Sequence, residues 1–335
     1  MTAQLSVIVP VYNESETLPQ FHSRVMAVLD ALNMPADLLY VDDGSDDGSS
    51  DWLDAQQVAD ARVAVLRLSR NFGKEAAMSA GFDYASGDAV VVIDADLQDP
   101  PELIPTLIEH WRAGFDVVYA TRESRQGESW FKRQSAALFY RLMDRLSDVP
   151  IPRDTGDFRL LSRRAVDALA KLREQHRYMK GLYAWIGYPQ KAVPYAREAR
   201  ASGRSKWSYW RLWNLALEGI TSFSAAPLKL ATWLGLFTSV IAFAYGLFFL
   251  LRTLFFGNPV PGYPSLMVVI LFLGGVQLVC LGIIGEYLAR TYNESKARQL
   301  YFVMDYRPGG KMRPRQAVPE QGSADGGSLH NVSGQ

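Results

Sequence analysis

Short apolar runs alternate with amphipathic stretches along the first 120 residues of the chain. The apolar runs lie at Leu5–Val11, 37–41, Val63–Leu68, 90–93 and 116–120. Helix-like stretches connect them, at about 17–32, after residue 49, at 74–85 and at 101–113. This alternation predicts right-handed βαβ units, and therefore an α/β, Rossmann-like fold with a mostly parallel sheet.

The alternation loosens after residue 121. We expect a long amphipathic helix at 130–146, a polar turn at 154–159, a helix at 177–185 and a short extended piece at 191–195. The basic segment 197–206 contains Gly203 and few apolar residues, which favours a mobile loop.

Segment 207–224 repeats polar residues at three- and four-residue steps, which is typical of an amphipathic helix. Trp207, Trp210 and Trp213 lie near one end of it. Because tryptophan is enriched at the membrane–water interface, the pattern predicts a helix that lies on the membrane surface. A soluble core helix is the alternative, and it leaves the three tryptophans unexplained.

Two stretches without any charged residue follow, at 230–251 and 253–285, and only Arg252 separates them. Each exceeds the roughly 20 apolar residues needed to cross a bilayer. We therefore expect two transmembrane helices, at about 228–252 and 265–289, joined by a turn-rich loop. A buried helical hairpin in a soluble protein is the alternative interpretation.

Basic residues flank the outer ends of this hairpin, and the connecting loop has none; they are Lys229, Arg290, Lys296 and Arg298. The positive-inside rule then places both termini and the N-terminal domain in the cytoplasm, with the hairpin in the inner membrane. We expect a catalytic domain at 1–206, an interfacial helix at 207–227, a hairpin at 228–290 and a tail at 291–335, disordered after about 308.

Charge and cysteine content exclude some classes of function. The chain has 35 basic and 35 acidic residues, so its net charge gives no reason to expect a nucleic acid partner. Its one cysteine, Cys280, rules out a disulfide framework and a cysteine-based metal site.

Acidic residues follow the predicted strands, where ligands of open α/β sheets bind. Asp42 and Asp43 follow the second strand, Asp94 and Asp96 follow the fourth, and Asp157 lies in the later polar turn. No glycine-rich phosphate loop follows the first strand. Asp94 and Asp96 therefore predict a site for a hard divalent cation that meets phosphate charge. For Asp42 and Asp43, a solvated turn is the alternative.

Five segments carry a family resemblance: VIVPVYNE at 7–14, VDDGSDDGS at 41–49, LSRNFGKEAAMSAG at 68–81, IDADLQDPPE at 93–102 and TGDFRL at 155–160. They resemble the inverting glycosyltransferases of family 2, which have the GT-A fold. With the two spans, the chain is most similar to bacterial polyprenyl-phosphate glycosyltransferases that glucosylate bactoprenol. The Q-x-x-R-W motif of processive family members is absent from the sequence, which favours a single transfer.

The resemblance implies roles for the acidic residues. The nucleotide sugar would be bound by Pro10, Tyr12, Glu14, Asp42, Asp43 and Asp94. Asp96, with Asp94 and Gln98, would hold Mg²⁺ or Mn²⁺. The catalytic residues would be Asp157, Asp94 and Asp96.

Asp157 matches the general base of the family, but a phosphate acceptor is already anionic near neutral pH. Orienting the sugar or the acceptor is therefore an alternative role for it. The expected cations for the acceptor phosphate are Arg122, Lys132, Arg200 and Lys206, although each could be a surface cation instead. Lys74 could contact the donor phosphate or solvent.

The resemblance thus implies transfer of one hexose, which we expect to be glucose from UDP-glucose, to undecaprenyl phosphate with inversion. GDP-mannose, UDP-galactose and a UDP-amino sugar are alternative donors, and a non-catalytic scaffold that binds nucleotide sugar is an alternative of another class. By the same resemblance we expect a homo-oligomer, a tetramer. Segment 298–304 could form an exposed strand that pairs with a neighbouring subunit.

Overall fold

The computed structural model describes residues 3–122, 155–175, 177–195, 226–256 and 262–309. The helix predicted at 130–146, the loop at 197–206 and the interfacial helix at 207–224 lie outside these residues.

One sheet organises the described part of the chain, with strand order β7-β5-β6-β4-β1-β2-β3-β8. The strands are β1 Leu5–Val11, β2 Ala36–Asp42, β3 Val63–Leu68, β4 Ala89–Val92, β5 Val117–Arg122, β6 Thr155–Ser162, β7 Gln190–Tyr195 and β8 Val303–Arg307. The helices are α1 Leu18–Ala31, α2 Ser49–Ala59, α3 Lys74–Tyr84, α4 Ile104–Arg112, α5 Arg163–Leu169, α6 Met179–Trp185, α7 Ala226–Phe256 and α8 Tyr263–Ser295. A short 3₁₀ turn, Pro101–Leu103, precedes α4.

The centre of the sheet is parallel: β1 lies between β4 and β2, and β2 pairs with β3. Both faces of this centre are covered, since Val7 and Val9 belong to one buried cluster while Ile8 belongs to another. Helices α1, α2 and α4 supply the first cluster, and α3, α5 and α6 supply the second. Apolar residues on both faces explain why these strands read as continuous apolar runs, and the predicted α/β fold is confirmed.

Strand β6 corrects the polar turn predicted at 154–159. The segment runs antiparallel between β4 and β5, with Leu160 opposite Val91 and Val118. Its alternation is concealed by polar residues near its start, although Phe158, Leu160 and Leu161 are fully buried. Asp157 therefore lies on a strand beside β4, which brings it next to the residues that follow β4.

Strand β8 also differs from expectation in bounds and partner. It begins at Val303 and pairs antiparallel with β3 of its own chain, at the edge of the sheet. Tyr301, Val303 and Tyr306 pack against the second buried cluster, whereas Phe302 and Met304 are 57% and 70% exposed. The segment is thus a strand at the edge of its own sheet, and its pairing with a neighbouring subunit stays a prediction.

Contacts also tie the end of α8 to the catalytic domain. The backbone N–H of Gln175 donates to Glu294 Oε1 at 2.6 Å, and its side-chain amide donates to the carbonyl of Arg298. The hydroxyl of Tyr301 donates to Asp83 at 2.6 Å, and Arg173 donates to both oxygens of the same carboxylate at 2.8 Å. The second long helix therefore joins the domain through a fixed set of bonds.

Helices α7 and α8 extend the two predicted spans by several residues at most ends. Their apolar segments are long enough to cross a membrane, and these segments are almost wholly exposed in the described chain. Phe243 and Leu254, for example, are each 74% exposed. A hairpin buried inside a soluble core would instead cover these side chains, so the exposed apolar surface favours a lipid environment.

Removing β8 should destabilise the catalytic domain. A chain truncated after Lys296 loses Tyr301, Val303 and Tyr306, which pack against the core. Loss of about 2 kcal/mol would lower the thermal midpoint by roughly 4 to 8 °C in a domain of this size. Differential scanning fluorimetry in detergent measures the shift, and truncation after Gly309 is the control. Equal midpoints for the two truncations would contradict the pairing of β8 with its own sheet.

Candidate active site

A cavity of about 290 Å³ opens where β1, β2 and β4 end. Because these strands are parallel neighbours, their carboxyl ends meet at one edge of the sheet. The cavity is lined by Pro10, Val11, Tyr12, Glu14, Asp43, Asn71, Gly73, Lys74, Ala77, Asp94, Ala95 and Asp96. The structure thus brings most of the predicted donor and metal residues into one place.

Lys74 joins two of the predicted acidic residues. Its ammonium donates to Asp94 Oδ2 at 2.6 Å and to Asp157 Oδ2 at 2.5 Å. Asp94 follows β4 and Asp157 lies near the start of β6, so this cation holds together residues 63 positions apart in sequence. From the sequence, Lys74 was expected to contact either the donor phosphate or solvent. In the structure it pairs with the two carboxylates, and its side chain is 41% exposed.

The electrostatic environment separates the two carboxylates. Burial raises the pKa of Asp94, and the nearby Lys74 offsets only part of that rise. Burial also acts on Asp157, but Lys74 and then Lys180 outweigh it and hold the pKa of that carboxyl below its usual range. For Lys74, the two carboxylates outweigh burial and raise the pKa, so the ammonium stays charged.

The loop after β4 presents Asp96 to the cavity. Asp96 Oδ1 accepts the backbone N–H of Gln98 at 3.1 Å, and Leu97 between them has a positive φ of 61°. The side chain of Gln98 is buried, at 6% exposure, and Asp99 accepts the hydroxyl of Tyr195. The loop therefore fixes Asp96 through its own backbone, and Gln98 contributes an N–H to that arrangement.

The two residues after β2 have different surroundings. Asp43 lines the cavity and accepts the backbone N–H groups of Phe72 and Gly73 at 2.7 and 2.9 Å. Asp42 is fully buried; its oxygens accept the N–H of Ser45 at 2.9 Å and the hydroxyl of Ser50. The structure thus brings Asp43 to the cavity wall. Asp42 is bonded to its own loop, to α2 and to Arg67 of β3, which donates to Asp42 Oδ2 at 3.4 Å, so a nucleobase contact from Asp42 stays a prediction.

Gly44 allows the loop after β2 to approach the segment that carries Asn71. Its φ is +74°, and a Cβ there would lie 2.7 Å from the backbone carbon of Arg70. Any larger residue would combine strained backbone with a clash against backbone atoms. The close approach explains how Asp43 reaches the N–H groups of Phe72 and Gly73.

The loop after β1 is bonded to the loop after β2. Asn13, with a positive φ of 56°, donates its N–H to Ser45 Oγ at 3.1 Å, and its side chain bonds both to the side chain and to the N–H of Asp46. Glu14 accepts the hydroxyl of Thr17 at 2.9 Å. Tyr12 stands 47% exposed at the mouth of the cavity, and these bonds fix its position.

The predicted phosphate cations are described only in part. The backbone of Arg122 ends β5 and pairs with Tyr195 of β7, whereas Lys132, Arg200 and Lys206 lie outside the described residues. Their roles stay predictions.

Sequence reasoning missed a buried cation beside Asp157. The guanidinium of Arg159 lies 3.6 Å from the ring centroid of Tyr183 and donates to the carbonyl of Gly156 at 2.7 Å. It is only 3% exposed, and burial lowers its pKa. Arg159 therefore supports the backbone on both sides of Asp157. An arginine two positions after Asp157, followed by Leu160, was the available signal.

Replacing Lys74 with glutamine should destabilise the metal-free protein in a pH-dependent way. At about pH 7.5, Asp94 and Asp157 would face each other without the shared ammonium. As the pH falls to about 5, Asp94 takes up a proton, because its pKa is already raised, and the repulsion weakens. Thermal midpoints measured in chelator should therefore differ from wild type more at the higher pH. Lys191→Gln on the exposed surface is the control, and a gap independent of pH would contradict this account.

Comparisons with known proteins cover both parts of the chain. Residues 6–170 match the family described as glycosyl transferase family 2, and residues 226–291 match the family described as the GtrB C-terminal hairpin. Among solved structures, glucosyl-3-phosphoglycerate synthase from Mycobacterium tuberculosis with Mn²⁺, UDP and phosphoglyceric acid is similar, with a TM-score of 0.46 and 18% identity over 65% of this chain and 76% of that one.

Several relatives match nearly end to end. The bactoprenol glucosyl transferase of Shigella phage SfV is 48% identical over 90% of this chain and 98% of its own length. The uncharacterized glycosyltransferase sll0501 of Synechocystis is 52% identical over 91% of this chain and 96% of its own. The chain therefore belongs to glycosyl transferase family 2: it is a glycosyltransferase with a GT-A catalytic domain and a GtrB-type membrane hairpin.

Proposed function

We propose that this enzyme transfers one hexose, glucose from UDP-glucose, to undecaprenyl phosphate at the cytoplasmic membrane face. The products are UDP and a β-linked polyprenyl-phosphate sugar. The observation that carries the proposal is the 48% identity to a bactoprenol glucosyl transferase along almost the whole of both chains. The exposed apolar hairpin supports a lipid acceptor, since it holds the domain where such a substrate resides.

The donor occupies the cavity at the ends of β1, β2 and β4. Tyr12 offers an exposed ring at its mouth, and Glu14 and Asp43 offer carboxylate oxygens to the nucleobase and ribose. Pro10 shapes the wall at the end of β1. Asp42 contributes by fixing the loop that carries Asp43, in addition to any contact of its own.

The donor set of the cavity suits a divalent cation. Asp94 and Asp96 both line it, and Mg²⁺ or Mn²⁺ is commonly held by one or two carboxylates, with phosphate oxygens and water completing the coordination. Asp96 would be the main ligand, Asp94 would share it, and Gln98 supports Asp96 through its backbone. The bound cation would offset the negative charge that grows on the departing diphosphate.

The reaction is a direct displacement at the anomeric carbon. An oxygen of the acceptor phosphate forms a bond to C1 of the sugar from one side while the bond from C1 to the diphosphate breaks on the other. The bonding electrons leave with UDP, and the configuration at C1 inverts. The acceptor is a phosphate monoester that is already anionic, so Asp157 need not remove a proton and instead orients the reacting groups.

The acceptor phosphate requires cations of its own, because Asp94, Asp96 and Asp157 lie close to where it arrives. Arg122 ends β5, two strands from β4. In the sequence, Lys132 lies between β5 and β6, and Arg200 and Lys206 lie between β7 and the hairpin. Basic residues flank the outer ends of the hairpin, which supports cytoplasmic termini and a cytoplasmic active site.

The metal ligand assignment is tested by Asp96→Asn. Transfer of labelled glucose to undecaprenyl phosphate should fall by about 100-fold or more, because stabilisation of the leaving group by a metal contributes several kcal/mol. The thermal midpoint in chelator should not change. Asp51→Asn on the exposed face of α2 removes the same charge away from the cavity and should retain wild-type rates. Wild-type transfer by Asp96→Asn would contradict the assignment.

The donor and the catalytic role are tested together by a panel assay. Purified protein in detergent receives undecaprenyl phosphate, Mg²⁺ or Mn²⁺, and labelled UDP-glucose, UDP-galactose, GDP-mannose or a UDP-amino sugar. We expect labelled lipid with UDP-glucose. Release of the label by acid or alkali then shows that the sugar is linked to the lipid through a phosphodiester. Product with another donor only would reassign the sugar. Binding of nucleotide sugar without labelled lipid from any donor would favour a scaffold.

A further inference from the structure

A second cation besides Lys74 acts on the carboxylate of Asp157. Lys180 is the second residue of α6, and its charge contributes, after that of Lys74, to the low pKa of Asp157. The sequence analysis did not select Lys180, because nothing in its local pattern distinguishes it from a surface lysine.

Lys180 shares a face of α6 with Tyr183, and Tyr183 packs against a residue of β6. Tyr183 is fully buried, and its ring lies beneath the guanidinium of Arg159, which is two residues after Asp157. Residues three apart share one face of a helix, so Lys180 lies one turn before Tyr183 on that same face. Side chains of a helix also tilt towards its N-terminus, which directs Lys180 towards the first residues of α6.

A separate contact fixes the beginning of α6 beside the active site. The backbone N–H of Met179 donates to Glu75 Oε1 at 3.2 Å, and Glu75 is the residue after Lys74 on α3. The first turns of α3 and α6 therefore adjoin each other. They bring Lys74 and Lys180 to the same carboxylate, that of Asp157.

The distribution of charge separates the roles of the two lysines. Lys74 is already shared by Asp94 and Asp157, and it lines the donor cavity. Lys180 does not line that cavity, although it acts on Asp157. An incoming phosphate monoester carries about −1.5 to −2 charges near neutral pH and would be repelled by Asp157 unless a further cation were adjacent.

We propose that Lys180 binds the phosphate of the lipid acceptor and holds it beside Asp157 for attack on the donor sugar. This role rests on the proposed function, since it presumes a phosphate acceptor. In this arrangement Lys74 serves the donor and Lys180 serves the acceptor, and both act on Asp157.

Kinetics of Lys180→Gln in the labelled-lipid assay test this role. The KM for undecaprenyl phosphate should rise about tenfold or more, the range expected for a lost hydrogen bond to a charged group, while the KM for UDP-glucose stays within about twofold. Lys180→Arg should recover much of the acceptor affinity, because it restores the charge. Lys171→Gln, on the exposed surface between α5 and α6, is the matched control and should behave as wild type.

The outcomes separate this proposal from its alternatives. A fall in kcat with an unchanged KM for the acceptor would mean that Lys180 acts only through Asp157, and it would overturn the proposal. Unchanged kinetics would overturn it as well. Binding of undecaprenyl phosphate to wild type and Lys180→Gln without donor supplies an independent reading. If no donor gave transfer but binding of undecaprenyl phosphate still depended on Lys180, the proposed function would be contradicted. The assignment of Lys180 to a phosphate site would be supported by the same result.

Discussion

The ion pairs of Lys74 are the interaction on which the active site depends. Asp94 follows a parallel strand and Asp157 lies on an antiparallel one, so no single supersecondary unit brings them together. The carboxylates of Asp94 and Asp157 both contact Lys74, and without it they would repel each other in a partly buried site. The shared ammonium makes their proximity possible. Because Lys74 is the first residue of α3, the position of that helix on the sheet also positions both acids.

Much of the fold could be predicted from the sequence because the physical pattern was strong. Strands β1 to β4 are apolar on both faces, which is typical of buried parallel strands. The two long helices lack charge over more than a span, and their exposed apolar side chains disfavour the alternative of a hairpin buried in a soluble core. Strand β6 was missed since Thr155, Gly156, Asp157 and Arg159 imitate a turn, and only its position between β4 and β5 explains its extended conformation. The pairing of β8 required knowledge that the edge of β3 was open, which is a property of the assembled sheet.

The site divides in a similar way. Residues that follow parallel strands, such as Tyr12, Asp43, Asp94 and Asp96, could be predicted to converge, because parallel strands end at the same edge. The convergence of the supporting cations could not be predicted in this way. Lys74, Arg159 and Lys180 come from a helix start, a strand interior and another helix, and their convergence depends on how α3 and α6 pack against β6. Sequence spacing reports local geometry, and these contacts are all long-range.

The bonds between the end of α8 and the sheet have a mechanical consequence. Gln175 donates hydrogen bonds to Glu294 and to Arg298. Strand β8 follows Arg298 in the chain and pairs with β3, which pairs with β2, and β2 ends at the cavity. A tilt of α8 is consequently transmitted to the sheet and is not absorbed by a slack linker. Helices adjust their tilt to the thickness of the bilayer. A change in membrane thickness would therefore exert a force on the wall of the cavity. In this arrangement the bilayer is a source of stress on the enzyme as well as the solvent of its acceptor.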